Sequence, residues 1–64
     1  MGLIKSELEK GCWYKGISDS TNIAQWTGTN FRFIKDKLSG CYIDILNYYE
    51  DGGNVFLPVE KIKL

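Results

Sequence analysis

The chain has 64 residues, of which 44% are hydrophobic and 25% are charged, and its eight basic residues balance its eight acidic ones. This composition is typical of one small soluble domain near the lower size limit for unaided folding, and the 14% aromatic content predicts a core of large side chains. The zero formal net charge argues against a protein whose affinity comes from the phosphate backbone of nucleic acid, and it favours self-association.

The chain lacks histidine, and its two cysteines, Cys12 and Cys41, have no Cys-x-x-Cys spacing. It therefore offers neither a zinc cluster nor the usual general base of an enzyme, and we expect no metal, no cofactor and no catalysis. The N-terminal segment lacks the apolar centre of a signal peptide, and no apolar run approaches the ~20 residues of a membrane helix. We expect a cytoplasmic protein without membrane contact, in which both cysteines are reduced, half-buried thiols.

The first part of the chain predicts a short helical lead-in, a strand and a long irregular segment. In "LIKSELEK", residues 3–10, Ser6 fits the cap of a Ser-x-x-Glu capping box, and Gly11 ends the helix after little more than a turn. The aromatic and apolar segment "CWYKGI", residues 12–17, predicts a strand. The irregular segment that follows is expected to hold a two-residue bridge and then a turn, at residues 24–26 and 27–30.

The next strand, "FRFI" at residues 31–34, alternates between two faces. Phe31 and Phe33 share one face, while Arg32 and Ile34 share the other. The polar sequence "KDKLSG" predicts a turn that ends at Gly40.

The strongest strand prediction is "CYIDILNYY", residues 41–49. Cys41, Ile43 and Ile45 share one face, and Asp44 between the isoleucines is expected in solvent. Leu46 is apolar on the opposite face, so the alternation breaks, and we expect a bulge or strong bend near Leu46 and Asn47.

The sequence "YYEDGGNVFLP", residues 48–58, predicts a hairpin. Gly52 and Gly53 accept positive φ and are expected at the centre of a tight turn, with Tyr49 opposite Phe56 and Tyr48 opposite Leu57 on the returning strand. Adjacent strand residues point to opposite faces, so one of the two tyrosines is expected to be exposed.

The only proline, Pro58, marks an edge or a break, because it cannot donate a ladder hydrogen bond. A last short strand then follows, with Ile62 and Leu64 on one face. These elements predict an all-β fold: a small, SH3-like antiparallel barrel of about five short strands, forming a single domain over residues 1–64.

The strand order resembles the SH3-like barrels over residues 11–64, and "CYIDILNYYEDGGNVFLPVEKI" is similar to the second half of a Tudor-type domain. The chain has no ALYDY-like opening, paired tryptophans or full aromatic cage, so this resemblance implies the fold and not proline-peptide or methyl-arginine binding. A free-standing barrel of this size also resembles small accessory proteins of phages and mobile elements, which often block or sequester a host component.

Aromatic and basic side chains provide the candidate contact residues. Trp26 lies in the long irregular segment without a periodic pattern that would bury it, so it is either an exposed anchor or a lid over a barrel end. Exposed tryptophan and tyrosine side chains are common interface anchors. The full set of candidates for binding a partner or ligand is Trp13, Trp26, Arg32, Tyr48 and Tyr49.

These observations predict a non-catalytic binding protein that acts on a protein partner, with inhibition as an expected outcome. An alternative is an oligomer that sequesters a small anionic, nucleotide-like ligand between subunits, with aromatic rings stacked on it beside Arg32. A third interpretation is a barrel that binds nucleic acid through the interleaved aromatic and charged residues of "WYK" and "FRF".

Overall fold

The structure, a computed structural model, describes residues 2–38 and 40–63 of the chain. Two 3₁₀ turns, Lys5–Glu7 and Tyr49–Asp51, accompany the strands, and neither of these helical turns has the length or apolar character of a membrane-spanning segment. Five strands close into a barrel in chain order: Trp13–Ile17 (β1), Ile23–Trp26 (β2), Phe31–Lys37 (β3), Gly40–Tyr48 (β4) and Val55–Lys61 (β5). The expected all-β fold, a small barrel of about five short strands, is confirmed.

The core of the barrel is mainly aromatic. Phe31 is fully buried at its centre, with its ring centroid 4.8 Å from those of Trp26 and Phe56 and 6.4 Å from that of Tyr14. Large rings supply much buried apolar surface per residue, which is how a short chain compensates for its small core. The buried hydrophobic residues are Tyr14, Ala24, Trp26, Phe31, Phe33, Leu46, Tyr48 and Phe56.

The buried and exposed faces of β4 are the reverse of those expected. Its pairing with β3 runs in one continuous register from Phe31↔Leu46 to Lys37↔Gly40, so the bulge expected near Leu46 and Asn47 is wrong, while the alternative of a strong bend stays a prediction. Leu46 and Tyr48 point into the core, and Asp44 on the same side is half-buried. Both faces of β4 carry apolar residues, so the alternation within the strand could not predict which face is buried. Packing against the aromatic core determines it.

The isoleucines of β4 consequently lie outside. Ile43 is 62% exposed and Ile45 is 52% exposed, while Cys41 is also exposed instead of half-buried. The other cysteine, Cys12, is half-buried as expected, and both are free thiols.

The predicted hairpin between β4 and β5 is also wrong, because the two strands pair in parallel, at Asn47↔Val55 and Tyr48↔Phe56. The chain makes a 3₁₀ turn and then passes through Gly52 and Gly53, whose φ angles are 82° and 79°. The two glycines therefore have the expected positive φ. They belong to a loop after which β5 runs in the same direction as β4, and not to a hairpin turn.

The real bulge lies between β1 and β5. The register of this antiparallel pair shifts between Lys15 and Gly16, where Gly16 lies opposite Pro58. A bulge tolerates a proline because one ladder hydrogen bond is already missing there. Pro58 therefore sits within a continuous β5 instead of ending a strand. Residues 59–61 of the predicted last strand belong to β5, Ile62 lies beyond its end, and Leu64 lies outside the described residues.

The N-terminal segment covers part of the barrel. Its expected helix is replaced by a 3₁₀ turn in which the Ile4 N–H donates to the Glu7 carboxylate at 3.0 Å, so Ser6 is not the cap. The Leu3 N–H donates to the Pro58 carbonyl at 2.7 Å, and the Leu3 carbonyl accepts from the Tyr48 hydroxyl at 2.7 Å. Leu3 thus binds the N-terminal segment to β4 and β5.

The strands β3 and β4 pair with each other over most of their length as a two-stranded ribbon, one end of which belongs to the barrel. The strand β3 extends to Lys37, into the predicted turn at residues 35–40, because it pairs with β4 across Lys35↔Tyr42 and Asp36↔Cys41. Residues 32–37 and 40–45, which pair with each other, are called the ribbon below.

Candidate partner-binding surfaces

Two of the five candidate residues are core residues. Trp26 is 4% exposed and Tyr48 is 1% exposed, so the expectation that either ring contacts a partner is corrected. Trp26 belongs to β2, opposite Phe31 of β3, and its ring packs against Phe31 and Tyr48. The sequence predicted an irregular segment here instead of a strand, because β2 has only four residues and these are too few to show the alternation of a strand.

Tyr48 has a buried ring and a hydrogen-bonded hydroxyl. Its hydroxyl donates to the Leu3 carbonyl, and the Lys5 ammonium lies 5.2 Å from its ring centroid. Burial, followed by the neighbouring Tyr49 hydroxyl, raises the pKa of Tyr48 to about 12. The Tyr48 hydroxyl therefore keeps its proton to a higher pH than an exposed tyrosine, and its buried ring and hydrogen bond stabilise the fold.

Tyr49 is the exposed member of the tyrosine pair, as one of the two was expected to be. It is 38% exposed, and its ring centroid lies 4.8 Å from that of Tyr48. Because Tyr49 begins the 3₁₀ turn after β4, its ring leaves the core and stands at the edge of a surface cleft.

This cleft has a volume of about 420 Å³ and lies between the β1–β2 loop and the β4–β5 loop. Its lining combines apolar side chains with small polar ones, and Asp19 is the charged residue among the described residues that line it. The lining residues are Ile17, Ser18, Asp19, Ser20, Leu46, Tyr49, Gly53, Asn54, Val55 and Leu57. An apolar surface with a polar rim is the usual character of a protein-binding cleft.

Hydrogen bonds hold both walls of the cleft. In the β1–β2 loop, the Ser18 hydroxyl donates to the Thr21 carbonyl at 2.7 Å and accepts from the Thr21 N–H at 2.9 Å. In the opposite wall, the Asn47 amide donates to the Gly52 carbonyl at 3.0 Å, and the Asn47 N–H donates to the Asn54 carbonyl at 2.8 Å. A site with fixed walls loses less conformational entropy when it binds.

The other two candidates, Trp13 and Arg32, lie on a different surface. They occupy one row of the outer sheet with Gln25 between them, since Trp13 pairs with Gln25 and Gln25 pairs with Arg32. Arg32 Nε donates to Gln25 Oε1 at 2.7 Å, and Gln25 Nε2 donates to the Gly11 carbonyl at 2.9 Å. The depression that both residues line has a volume of about 80 Å³, far below the ~300 Å³ or more of typical small-ligand pockets. Arg32 also borders a depression of about 200 Å³, and Trp13 borders a cleft of about 490 Å³ with Lys61 and Lys63.

Of the two cysteines, Cys41 is the exposed one. The exposed Cys41 thiol donates to Asp36 Oδ1 at 2.8 Å, and this hydrogen bond, together with the carboxylate charge, raises the pKa of Cys41. A raised pKa lowers the fraction of reactive thiolate. In the described part of the chain, no group of three or more His, Cys, Asp or Glu side chains is placed to hold a metal ion.

The sequence pointed to one of Tyr48 and Tyr49 as exposed but gave no sign of the other residues that line the cleft. Ile17 and Leu57 come from β1 and β5, and Asp19 comes from the loop after β1. The only local signal of the cleft was Ile17 followed by the polar run "SDSTN". The parallel pairing of β5 with β4, which brings Leu57 to the cleft, cannot be predicted from neighbouring residues. Comparison with protein-family models, curated proteins and solved structures finds no match to this chain.

Proposed function

We propose that the chain is a non-catalytic binding protein that holds an extended segment of a protein partner in the cleft beside Tyr49. The observation that carries this proposal is the cleft itself, which joins an exposed aromatic ring to apolar side chains and a polar rim. Its volume of about 420 Å³ is enough for one large side chain and part of the adjoining backbone.

The charge of the lining favours a protein segment over an anionic ligand. Asp19 would repel a phosphate group, whereas it would attract a lysine or arginine of a partner. We therefore infer that the bound segment places an apolar side chain against Tyr49 and Leu57 and a basic residue near Asp19.

The two alternatives have weaker support. The depression that Trp13 and Arg32 share is too small for a nucleotide-like ligand in a single copy of the chain, and the larger clefts beside them contain one of the two residues each. For nucleic acid, the neutral net charge supplies no basic surplus, and Lys5 and Lys61 form ion pairs with Asp51 and Glu9, each at 3.0 Å. Following the resemblance to phage-type accessory proteins, inhibition of a host protein is the proposed consequence of binding.

Selection from a random peptide display library, with the folded chain immobilised, tests the proposal. We expect the selected peptides to carry an aromatic or aliphatic residue near a basic one, and Tyr49→Ala to weaken their binding by about tenfold or more. Asp19→Lys should weaken the same peptides, because it reverses the charge that faces their basic residue.

Tyr42→Ala is the matched control, because Tyr42 is 36% exposed but does not line the cleft. It should leave the affinity unchanged. Selected peptides that bind Tyr49→Ala as tightly as the unsubstituted chain would place the binding site elsewhere. Binding to anionic polymers that falls steeply with salt would instead favour the nucleic-acid interpretation.

A further inference from the structure

The ribbon carries an uncovered apolar face. Ile34 of β3 lies opposite Ile43 of β4, and these side chains are 65% and 62% exposed. Ile45 is 52% exposed in the next row. Contiguous apolar surface of this kind on a small protein typically marks an interaction site.

The ribbon also lacks neighbouring strands along most of its length. Within residues 2–38 and 40–63, β2 pairs with β3 at Phe31 and Arg32, and β5 pairs with β4 at Asn47 and Tyr48. An isolated two-stranded ribbon is at best marginally stable in water, so a partner that covers its apolar face would stabilise it.

Three rows of side chains make up this outer ribbon face. The first row is Arg32 beside Ile45, the second is Ile34 beside Ile43, and the third is Asp36 beside Cys41. The charge along the face is therefore positive, neutral and then negative. Rows on one face repeat every two residues, so Arg32 and Asp36 are roughly 13 Å apart along β3.

This order of charges is self-complementary. A twofold axis that crosses the strands at the Ile34–Ile43 row exchanges the first and third rows. The face of one copy then packs on the face of a second copy with the strands antiparallel, Arg32 meets the partner's Asp36, and each isoleucine of the middle row meets its equivalent. Arg32 uses Nε to bind Gln25, which leaves its terminal nitrogens available to the carboxylate.

We propose that the outer ribbon face is the interface of a homodimer with this antiparallel arrangement. The cleft beside Tyr49 contains none of the six residues of the face, so the proposal does not depend on the proposed function. The dimer would present two clefts to a partner.

Reversal of charge tests the antiparallel arrangement. By symmetry, Arg32→Asp alone creates two like-charge contacts, and so does Asp36→Arg alone. Each single variant should raise the dissociation constant of the dimer by about tenfold or more. The double variant R32D/D36R restores opposite charges at both contacts and should bring the dissociation constant back to within about threefold. Sedimentation velocity and native mass spectrometry of the full chain measure the change.

Matched variants outside the face control for general effects of charge. Lys63→Asp and Glu60→Arg reverse exposed charges elsewhere and should leave the dimer unchanged. Ile34→Asp should dissociate the dimer, whereas Ile23→Asp, at a 46% exposed position on β2, should not. Circular dichroism confirms that each variant is folded.

A monomeric unsubstituted chain at high micromolar concentration would overturn the proposal. A dimer that both single charge reversals leave intact would overturn it as well, because a parallel arrangement or an interface elsewhere predicts that result. Failure of the double variant to recover, while folded, would also count against the antiparallel contacts.

Discussion

At the scale of single residues, Tyr48 and Tyr49 show how one position along the chain separates a core residue from a surface residue. Tyr48 ends β4 with its ring in the barrel and its hydroxyl bound to Leu3, whereas Tyr49 begins the following turn and faces the cleft. Because both residues are tyrosines, the difference in burial separates them: the buried Tyr48 contributes to stability, and the exposed Tyr49 is the candidate for binding.

The hydroxyl of Tyr48 gives a prediction that depends on pH. Its pKa in the folded state is about 12, above the ordinary value of 10.0. The stabilisation is therefore complete below pH 10 and is lost as the pH rises from 10 towards 12. Urea denaturation should show a free energy of unfolding that declines across this range.

Tyr48→Phe provides the comparison. It removes the hydrogen bond to the Leu3 carbonyl and should cost about 1 kcal/mol at neutral pH. Its alkaline decline should be shallower than that of the unsubstituted chain, since the phenylalanine cannot ionise. Lys61, whose pKa is also raised, mainly by its hydrogen bond to Glu9, remains in both chains and cancels in the comparison. Equal alkaline slopes would contradict the assigned role of Tyr48.

At the scale of elements, the connection between β4 and β5 and the bulge opposite Pro58 together close the barrel. The 3₁₀ turn and the two positive-φ glycines return the chain beside β4, and β5 then reaches β1. The shift in register opposite Gly16 leaves Val59 of β5 without a partner on β1, and this bulge lets β5 bend around the core.

Gly16→Ala tests the close approach at this bulge. A methyl group at Gly16 would overlap the Leu57 carbonyl oxygen and lie 2.7 Å from Cζ of Phe56, so the substitution should cost about 3 kcal/mol or more. Gly11→Ala is the matched control: its methyl group meets nothing within 4 Å, and only the φ of +88° opposes it, at about 1–2 kcal/mol. Similar losses in the two variants, measured by thermal or urea unfolding, would show that packing at Gly16 is unimportant.

At the scale of the whole molecule, stability rests on one small aromatic core. Phe31 contacts the rings of Tyr14, Trp26 and Phe56, which arise from β1, β2 and β5. A single core in a chain of this length supplies only about 3–5 kcal/mol of net stability. The barrel should therefore unfold as one cooperative unit.

Trp26→Ala should therefore unfold the protein. Loss of this buried ring costs about 3–5 kcal/mol, which is comparable to the whole stability of the domain. Trp13→Ala, at a half-buried position on the outer sheet, should stay folded with a smaller loss. Circular dichroism and urea titration distinguish the two, and a native spectrum for Trp26→Ala would contradict the assignment of Trp26 to the core.

The sequence by itself determined the elements whose signal is local. The alternation of "FRFI" separated Phe31 and Phe33 from Arg32 and Ile34 on two faces, and in the structure the first pair is buried and the second is exposed. The aromatic content predicted a core of large side chains, and the short strands predicted a small barrel. These properties follow from periodicity and composition, which each segment carries alone.

Only the tertiary structure decided which face of β4 is buried, the parallel return of β5 and the strand that holds Trp26. On β4, isoleucines occupy one face and Leu46 with Tyr48 the other, so burial depends on which set meets the rings of β2, β3 and β5. The same choice leaves Ile34, Ile43 and Ile45 outside and brings Tyr49 to the cleft. Both proposed surfaces thus arise from contacts between segments distant in the chain, which no local pattern encodes.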